Sequence, residues 1–269
     1  MLKLILIFAS LLLFVGCEGE EYISIESLTV TVHFAIEDSI GDDEWQDFIT
    51  IAVNSENVVT EVELNSVTPL ANNSRRNVAQ LEGFEDVFEY NFYDQASSLE
   101  SSLIGISGDE LADALRSAYH DDLVNFDTAT FADLANHALA SEPVEKGPYL
   151  DGTYYGIEAA DANGLEYFVN LFVINGDIVA VHFNAVNHEG LLKYDQLIGT
   201  TADHDIAAWR YQAQLLEQAL IQVQDPLGFS FDENGFTTDI PGVYMEIESF
   251  VSLVTQALSE GPVIVEIDE

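Results

Sequence analysis

Four blocks of residues recur in the same order along this chain, and that duplication constrains its fold more than any other feature. Val59-Thr60-Glu61-Val62-Glu63-Leu64-Asn65-Ser66-Val67 aligns with Ile178-Val179-Ala180-Val181-His182-Phe183-Asn184-Ala185-Val186. The stretch before it, Phe48-Ile49-Thr50-Ile51-Ala52-Val53, aligns with Phe168-Val169-Asn170-Leu171-Phe172-Val173. Further on, Leu99-Glu100-Ser101-Ser102-Leu103-Ile104 matches Leu216-Glu217-Gln218-Ala219-Leu220-Ile221. Finally Phe131-Ala132-Asp133-Leu134 matches Phe250-Val251-Ser252-Leu253, with Ala138-Leu139 against Ala257-Leu258. Two copies of such a long unit are too few for a solenoid, so each copy must bury its own core. The copies occupy 26–142 and 148–260. Between them Ser141-Glu142-Pro143-Val144-Glu145-Lys146-Gly147-Pro148 carries two prolines and a glycine and reads as a boundary.

Each copy follows one plan. A strand comes first (28–36; 152–158), then a hairpin, then helices. The second hairpin turns at Asn175-Gly176, two residues that tolerate the positive φ of a tight hairpin turn. The first turns at Asn54-Ser55-Glu56-Asn57, without the glycine. Over 202–222 the residues Ile206, Trp209, Leu215, Leu216, Ala219 and Leu220 form a stripe near the helical period, ended by Asp225-Pro226. Asp203-His204-Asp205 reads as the start of that helix, where acids and polar side chains satisfy free N–H groups. The last helix of each copy carries Phe131, Leu134 and Ala138, or Phe250, Leu253 and Ala257. Such stripes bury against one face of a small sheet. The predicted fold class is α+β: two similar domains, each a small antiparallel meander sheet covered on one face by helices. Residues 261–269 form a C-terminal strand or tail.

The 269 residues include 48 Asp and Glu against 7 Lys and Arg, a formal charge of −41. Strong hydrophobicity, 48% of the chain, separates it from disordered acidic sequences. Phosphate backbones are held mainly by Lys and Arg, so nucleic acid is not an expected partner, and electrostatic docking on anionic lipid is disfavoured. The acidity fits a salty habitat, where a charged surface stays hydrated. Asp38 to Asp47 and Asp161-Ala162-Asn163-Gly164 have some calcium-like character but lack the spacing of the twelve-residue calcium loop. No His or Cys pattern suits zinc and no Gly-x-Ser-x-Gly elbow occurs, so neither a metal nor a catalytic residue is assigned.

The N-terminus carries an address. Lys3 precedes an apolar run from Leu4 to Val15, which is the size of a signal-peptide core and short of the ~20 residues of a membrane span. Leu13-Phe14-Val15-Gly16-Cys17 resembles the lipobox of bacterial lipoproteins, with the only cysteine as the lipidated residue. That resemblance implies a signal peptide at 1–16, lipidated Cys17 with a tether over 17–25, and a mature protein held by lipid in the bacterial cell envelope, outside the cytoplasmic membrane. One cysteine also means no intrachain disulfide.

The second copy carries a wider resemblance. Asp151-Gly152-Thr153-Tyr154-Tyr155, the strand 168–173, the Asn-Gly-Asp turn and Phe183-Asn184-Ala185-Val186-Asn187-His188-Glu189-Gly190 follow in order. Tyr211-Gln212-Ala213-Gln214-Leu215-Leu216-Glu217-Gln218 and Gln224-Asp225-Pro226 come next. This series resembles the FMN-binding-domain family, in its branch of membrane-anchored lipoproteins called major membrane immunogens. Residues 26–142 match it more loosely. The resemblance implies FMN as cofactor, electron relay outside the cytoplasm, and a redox or surface protein as partner. In that family a Ser/Thr-Gly-Ala-Thr stretch ahead of the last helix presents a threonine to which FMN is joined through its phosphate. Here the corresponding residues are Pro241-Gly242-Val243-Tyr244 in the second copy and Asp122-Leu123-Val124-Asn125 in the first. Only Gly242 matches, which argues against covalent FMN in either copy and leaves noncovalent FMN. Its phosphate would need a cation or a helix N-terminus. The cations on offer are Lys193 and Arg210 in the second copy, and Arg75, Arg76 and Arg116 in the first. The candidate cofactor-binding residues are Gly242, Tyr244, Tyr154, Tyr155 and Asn187. Two functions follow: an exported redox module that binds FMN noncovalently or partners a flavinylated relative, or a flavin-free lipoprotein acting as a binding or interaction scaffold.

Overall fold

The computed structural model describes residues 29–37, 45–68, 73–78, 92–120, 123–193 and 203–263. The leader, the tether with Cys17, most of the acidic run near residue 40 and all of the tail past 263 lie outside the described residues.

The first copy comprises β1 (Thr31–Ile36), β2 (Gln46–Val53), β3 (Val59–Thr68), the short β4 (Asn73–Ser74), α1 (Arg75–Val78), α2 (Phe92–Leu103), α3 (Gly108–His120) and α4 (Ala129–Ala140). The second comprises β5 (Gly152–Ile157), β6 (Leu165–Ile174), β7 (Asp177–Asn187), α5 (Asp203–Val223), a single 3-10 turn (Pro226–Gly228) and α6 (Glu248–Glu260). The sheets are antiparallel meanders in the orders β1-β2-β3-β4 and β5-β6-β7. The fold is therefore α+β, built twice. Even the irregularities repeat: the register of β2 with β3 shifts between Ala52 and Val53, and that of β6 with β7 between Phe172 and Val173, at aligned positions.

Period-two alternation decides which side of each sheet meets the helices. Ile49, Ile51 and Val53 of β2 join Val62 and Leu64 of β3 in a core closed by α2, α3 and α4. Val169, Leu171 and Val173 of β6, with Phe183 of β7, do the same beneath α5 and α6. Phe131 and Phe250, the aligned aromatics that open the last helices, are both fully buried. The two hairpin turns differ in length, five residues (54–58) in the first copy and two (175–176) in the second. Asn175 and Gly176 both take positive φ, whereas in the first copy Asn57 takes φ 59° and Asn54 Oδ1 accepts the N–H groups of Glu56 and Val58. The copies differ after their long helix. Residues 108–120 form α3, while the aligned region of the second copy, broken by Pro226, Gly228, Gly235 and Pro241, is a 3-10 turn and a loop.

The proline-rich boundary is fastened at both ends. Val144 N donates to Val32 O at 2.7 Å, extending the edge of the first sheet. Gly147 N donates to Asn175 O and Tyr149 N to Gly176 O, on the hairpin turn of the second. A Cβ on Gly147 would lie 2.0 Å from Gly176 O, so only glycine permits this approach. Past the last helix, Val263 N donates to Thr153 O on β5 at 2.7 Å, the only part of the expected C-terminal strand within the described residues. The helix-free faces of the two sheets turn toward each other, with Phe48 and Phe172 at a ring separation of 6.1 Å.

Candidate functional site

The loop before the last helix is built alike in both copies. Val124 and Val243 are buried anchors, followed by Asn125 and Tyr244. The backbone N–H of that residue is capped by a glutamine from the long helix: Asn125 N donates to Gln95 Oε1, and Tyr244 N to Gln212 Oε1. Gln95 and Gln212 each lie five residues before the aligned glutamates Glu100 and Glu217, so the cap is a duplicated device. It fixes the backbone and turns the side chain outward: Asn125 is exposed, and Tyr244 is 80% exposed. Gly242 takes φ 92°, and a Cβ there would come within 2.9 Å of Leu215 Cδ1. The position thus displays a phenol in one copy and a carboxamide in the other. These residues do not fit the threonine-linked group.

A second duplicated device lies at the edge of each sheet. Leu64 N donates to Glu100 Oε1 at 2.7 Å, and at the aligned position Phe183 N donates to Glu217 Oε1 at 2.8 Å. Each carboxylate thereby takes up an edge-strand N–H that no neighbouring strand accepts. Each also holds an arginine: Arg76 Nη1 lies 2.8 Å from Glu100, and Arg210 Nη1 lies 2.7 Å from Glu217. Burial raises the pKa of both carboxyls, opposed by the edge N–H and the arginine. The arginines come from different places, Arg76 from α1 and Arg210 from two turns earlier on the glutamate's own helix.

These pairings decide what the cations can do. Arg116 pairs with Asp133 at 2.6 Å, and the guanidinium of Arg75 sits 4.7 Å over the Phe92 ring. Lys193 Nζ donates to the Tyr167 hydroxyl at 2.7 Å and lies 4.4 Å from the Trp209 ring centre. Burial lowers the Lys193 pKa, with Asp161 opposing. Of the six basic residues in the described chain, only Lys146 is an exposed side chain without such an engagement. The adjacent cations Arg75 and Arg76 are thus engaged within their own domain.

The five candidate cofactor residues do not converge. Tyr154 is buried in the helix-side core, its hydroxyl donating to Leu150 O at 2.7 Å. Tyr155, next on the strand, points to the opposite face, 6.2 Å from the Phe168 ring. Asn187 ends β7, and its Oδ1 accepts the N–H groups of Glu189 and Leu191 to build the following turn. Gly242 and Tyr244 lie in the outer loop. These residues lie at three separate places in the domain. Asp161 likewise spends Oδ1 on the N–H groups of Asn163 and Leu165, forming a turn. Among the described residues no group of three or more His, Cys, Asp or Glu is arranged to hold a metal ion.

Among the described residues a cleft of about 540 Å³ lies between the helix-free faces. Its first wall is a period-two series on β3, Glu61, Glu63, Asn65 and Val67, beside Phe48 and Thr50 of β2. Asp151, Thr153, Phe172, Ile174 and Asn175 form the second wall. Among the described residues three carboxylates and no Lys, Arg or His line it. The sequence does carry the alternation of β3, but among 48 acids these three have nothing to distinguish them.

No model of a known protein family matches this chain. No curated protein matches it either. Two solved structures are similar to part of it. An NMR structure of a Clostridium thermocellum protein is 29% identical, covering 44% of this chain and 97% of its own, with a TM-score of 0.35. A crystal structure of a Clostridium perfringens protein is 20% identical, covering 44% of this chain and 100% of its own, with a TM-score of 0.32. At those scores neither bears on function. No described helix is long and apolar enough to cross a membrane.

Proposed function

We propose that this chain is a bacterial envelope lipoprotein, anchored through lipid on Cys17, whose tandem FMN-binding-like domains act as a binding scaffold. In this reading it is not a covalent flavin carrier. The observation that supports it most is the paired display position: Tyr244 and Asn125 stand where the resembling family has its threonine, on backbones held by Gln212 and Gln95. The state of the cations adds support. A noncovalent FMN phosphate needs an uncommitted positive group, and Arg76 and Arg210 are instead held by Glu100 and Glu217. The fold offers a two-domain frame with a cleft between its sheets.

The test is visible absorbance together with intact mass, on the full chain expressed with export and a flavin transferase. The expected product is colourless, with no FMN added to its mass. An added FMN mass would refute the reading by revealing an unforeseen attachment residue. Yellow colour that is lost on denaturation would also refute it, in favour of noncovalent FMN and an electron-transfer role.

A further inference from the structure

Three Asn-Gly pairs lie in tight turns, at 163–164, 175–176 and 234–235. Such a pair reacts within itself. The glycine nitrogen attacks Cγ of the preceding side chain, and the new N–C bond closes a succinimide ring. The Cγ–Nδ2 bond breaks, and ammonia leaves with the proton lost by the glycine N–H. Water then opens the ring at one carbonyl or the other, giving aspartate or isoaspartate. Glycine has no Cβ to obstruct this approach. The rate then depends on how freely the side chain reaches its attack geometry. We propose that the fold selects Asn234 among these three as the site of spontaneous deamidation and shields Asn175.

The three backbones are alike. Gly164, Gly176 and Gly235 take φ of 79°, 81° and 81°. Each glycine N–H is engaged: Gly164 with Asp161 O and Gly235 with Asp232 O at 3.0 Å, and Gly176 with Asp151 Oδ1 at 2.7 Å. The side chains differ. Asn175 Nδ2 donates to Val144 O at 3.2 Å and to Glu145 O at 3.1 Å, so the boundary segment must leave the turn before this carboxamide rotates. Asn163 Nδ2 donates to Asp161 Oδ2 at 3.3 Å, a longer bond on an exposed residue. The Asn234 side chain is exposed and makes no hydrogen bond among the described residues.

The place of Asn234 gives the reaction a consequence. Asp232 Oδ1 accepts the N–H groups of Asn234 and Phe236, and Gly235 O accepts Ile247 N at 2.8 Å. The turn thereby holds the segment between Tyr244 and α6. An isoaspartate at 234 lengthens the main chain by a methylene inside that turn, and either product adds a carboxylate beside Asp232 and Glu233. Deamidation thus loosens the loop that displays Tyr244.

The experiment is peptide mapping by mass spectrometry of the full chain, held in mildly alkaline buffer and sampled over time. The expected order of conversion is Asn234, then Asn163, then Asn175. Asn175 should lag Asn234 by roughly tenfold or more, because two hydrogen bonds must open first. In concentrated urea, where the turns are lost, the three rates should converge. In the aged protein the Ile247 amide should exchange faster with solvent, and an Asn234→Gln variant aged alike should show no such gain. The proposal is overturned if the folded chain converts Asn163 or Asn175 as fast as Asn234. Persistence of the ranking in urea would also overturn it, by assigning the order to flanking sequence. Unchanged Ile247 exchange after conversion would refute the loosening of the display loop.

Discussion

Removing Glu217 tests whether the edge-capping carboxylate holds the second domain together. Its Oε1 accepts both the Phe183 N–H at 2.8 Å and Arg210 Nη1 at 2.7 Å, with side-chain exposures of 9% for the glutamate and 18% for the arginine. Glu217→Leu removes a charge-assisted bond, orphans an edge N–H and takes the ion-pair partner from a mostly buried guanidinium. Breaking a buried pair from one side costs about 3–5 kcal/mol, and the partial exposure of Arg210 places the expected loss near the lower end, about 3 kcal/mol. Replacing both partners, as Glu217→Leu with Arg210→Met, removes the stranded charge and leaves chiefly the orphaned N–H, which costs about 1–3 kcal/mol. The double variant should therefore be more stable than the single one. The assay is urea unfolding followed by Trp209, whose ring lies 5.8 Å from Phe183, in a Trp45→Phe background that leaves it as the sole tryptophan. An unchanged m-value confirms that stability alone has moved. A single variant within about 1 kcal/mol of the parent, or a double variant no more stable than the single, would refute the capping argument. The aligned Glu100 should behave alike in the first domain, since its pair with Arg76 is equally sheltered.

Two more predictions concern the same sheets. Burial lowers the His182 pKa from 6.5 to about 3, with Arg210 adding to the effect. The unfolded chain then takes up the proton first on acidification, so stability falls between pH 6.5 and about 3, at up to roughly 1.4 kcal/mol per pH unit. His182→Gln should flatten that slope, and an imidazole titrating near its ordinary value in NMR spectra of the folded protein would contradict it. Gly156→Ala places a Cβ 2.6 Å from Leu253 O, on the backbone of α6, and should cost about 1–3 kcal/mol in denaturant unfolding. A loss under about 0.5 kcal/mol would show that α6 can move away.

Much of the architecture was legible because its signals are local. Alternation along 48–53 and 168–173, the Asn175-Gly176 turn and the stripe on α5 each act within a few residues, and two aligned copies reinforce each reading. The sequence even places Glu100 opposite Glu217, though nothing local says that each reaches an edge N–H 36 or 34 residues earlier in the chain. The candidate cofactor residues lie apart for a related reason. Tyr154 and Tyr155 are neighbours in sequence but face opposite sides of one strand, and Asn187 is spent on its own turn.

By itself the sequence determined a duplicated α+β plan, an acidic chain poor in cations, and Asn125 and Tyr244 at the two display positions. Tertiary structure alone decided which cations are spent on internal carboxylates and how the two copies meet. A strand's side-chain alternation follows from backbone geometry and can be read from a short window. Which face then meets another sheet depends on packing between residues more than a hundred positions apart, as Phe48 and Phe172 are. That packing turns Glu61, Glu63 and Asp151, three unremarked acids among 48, into the walls of one cleft.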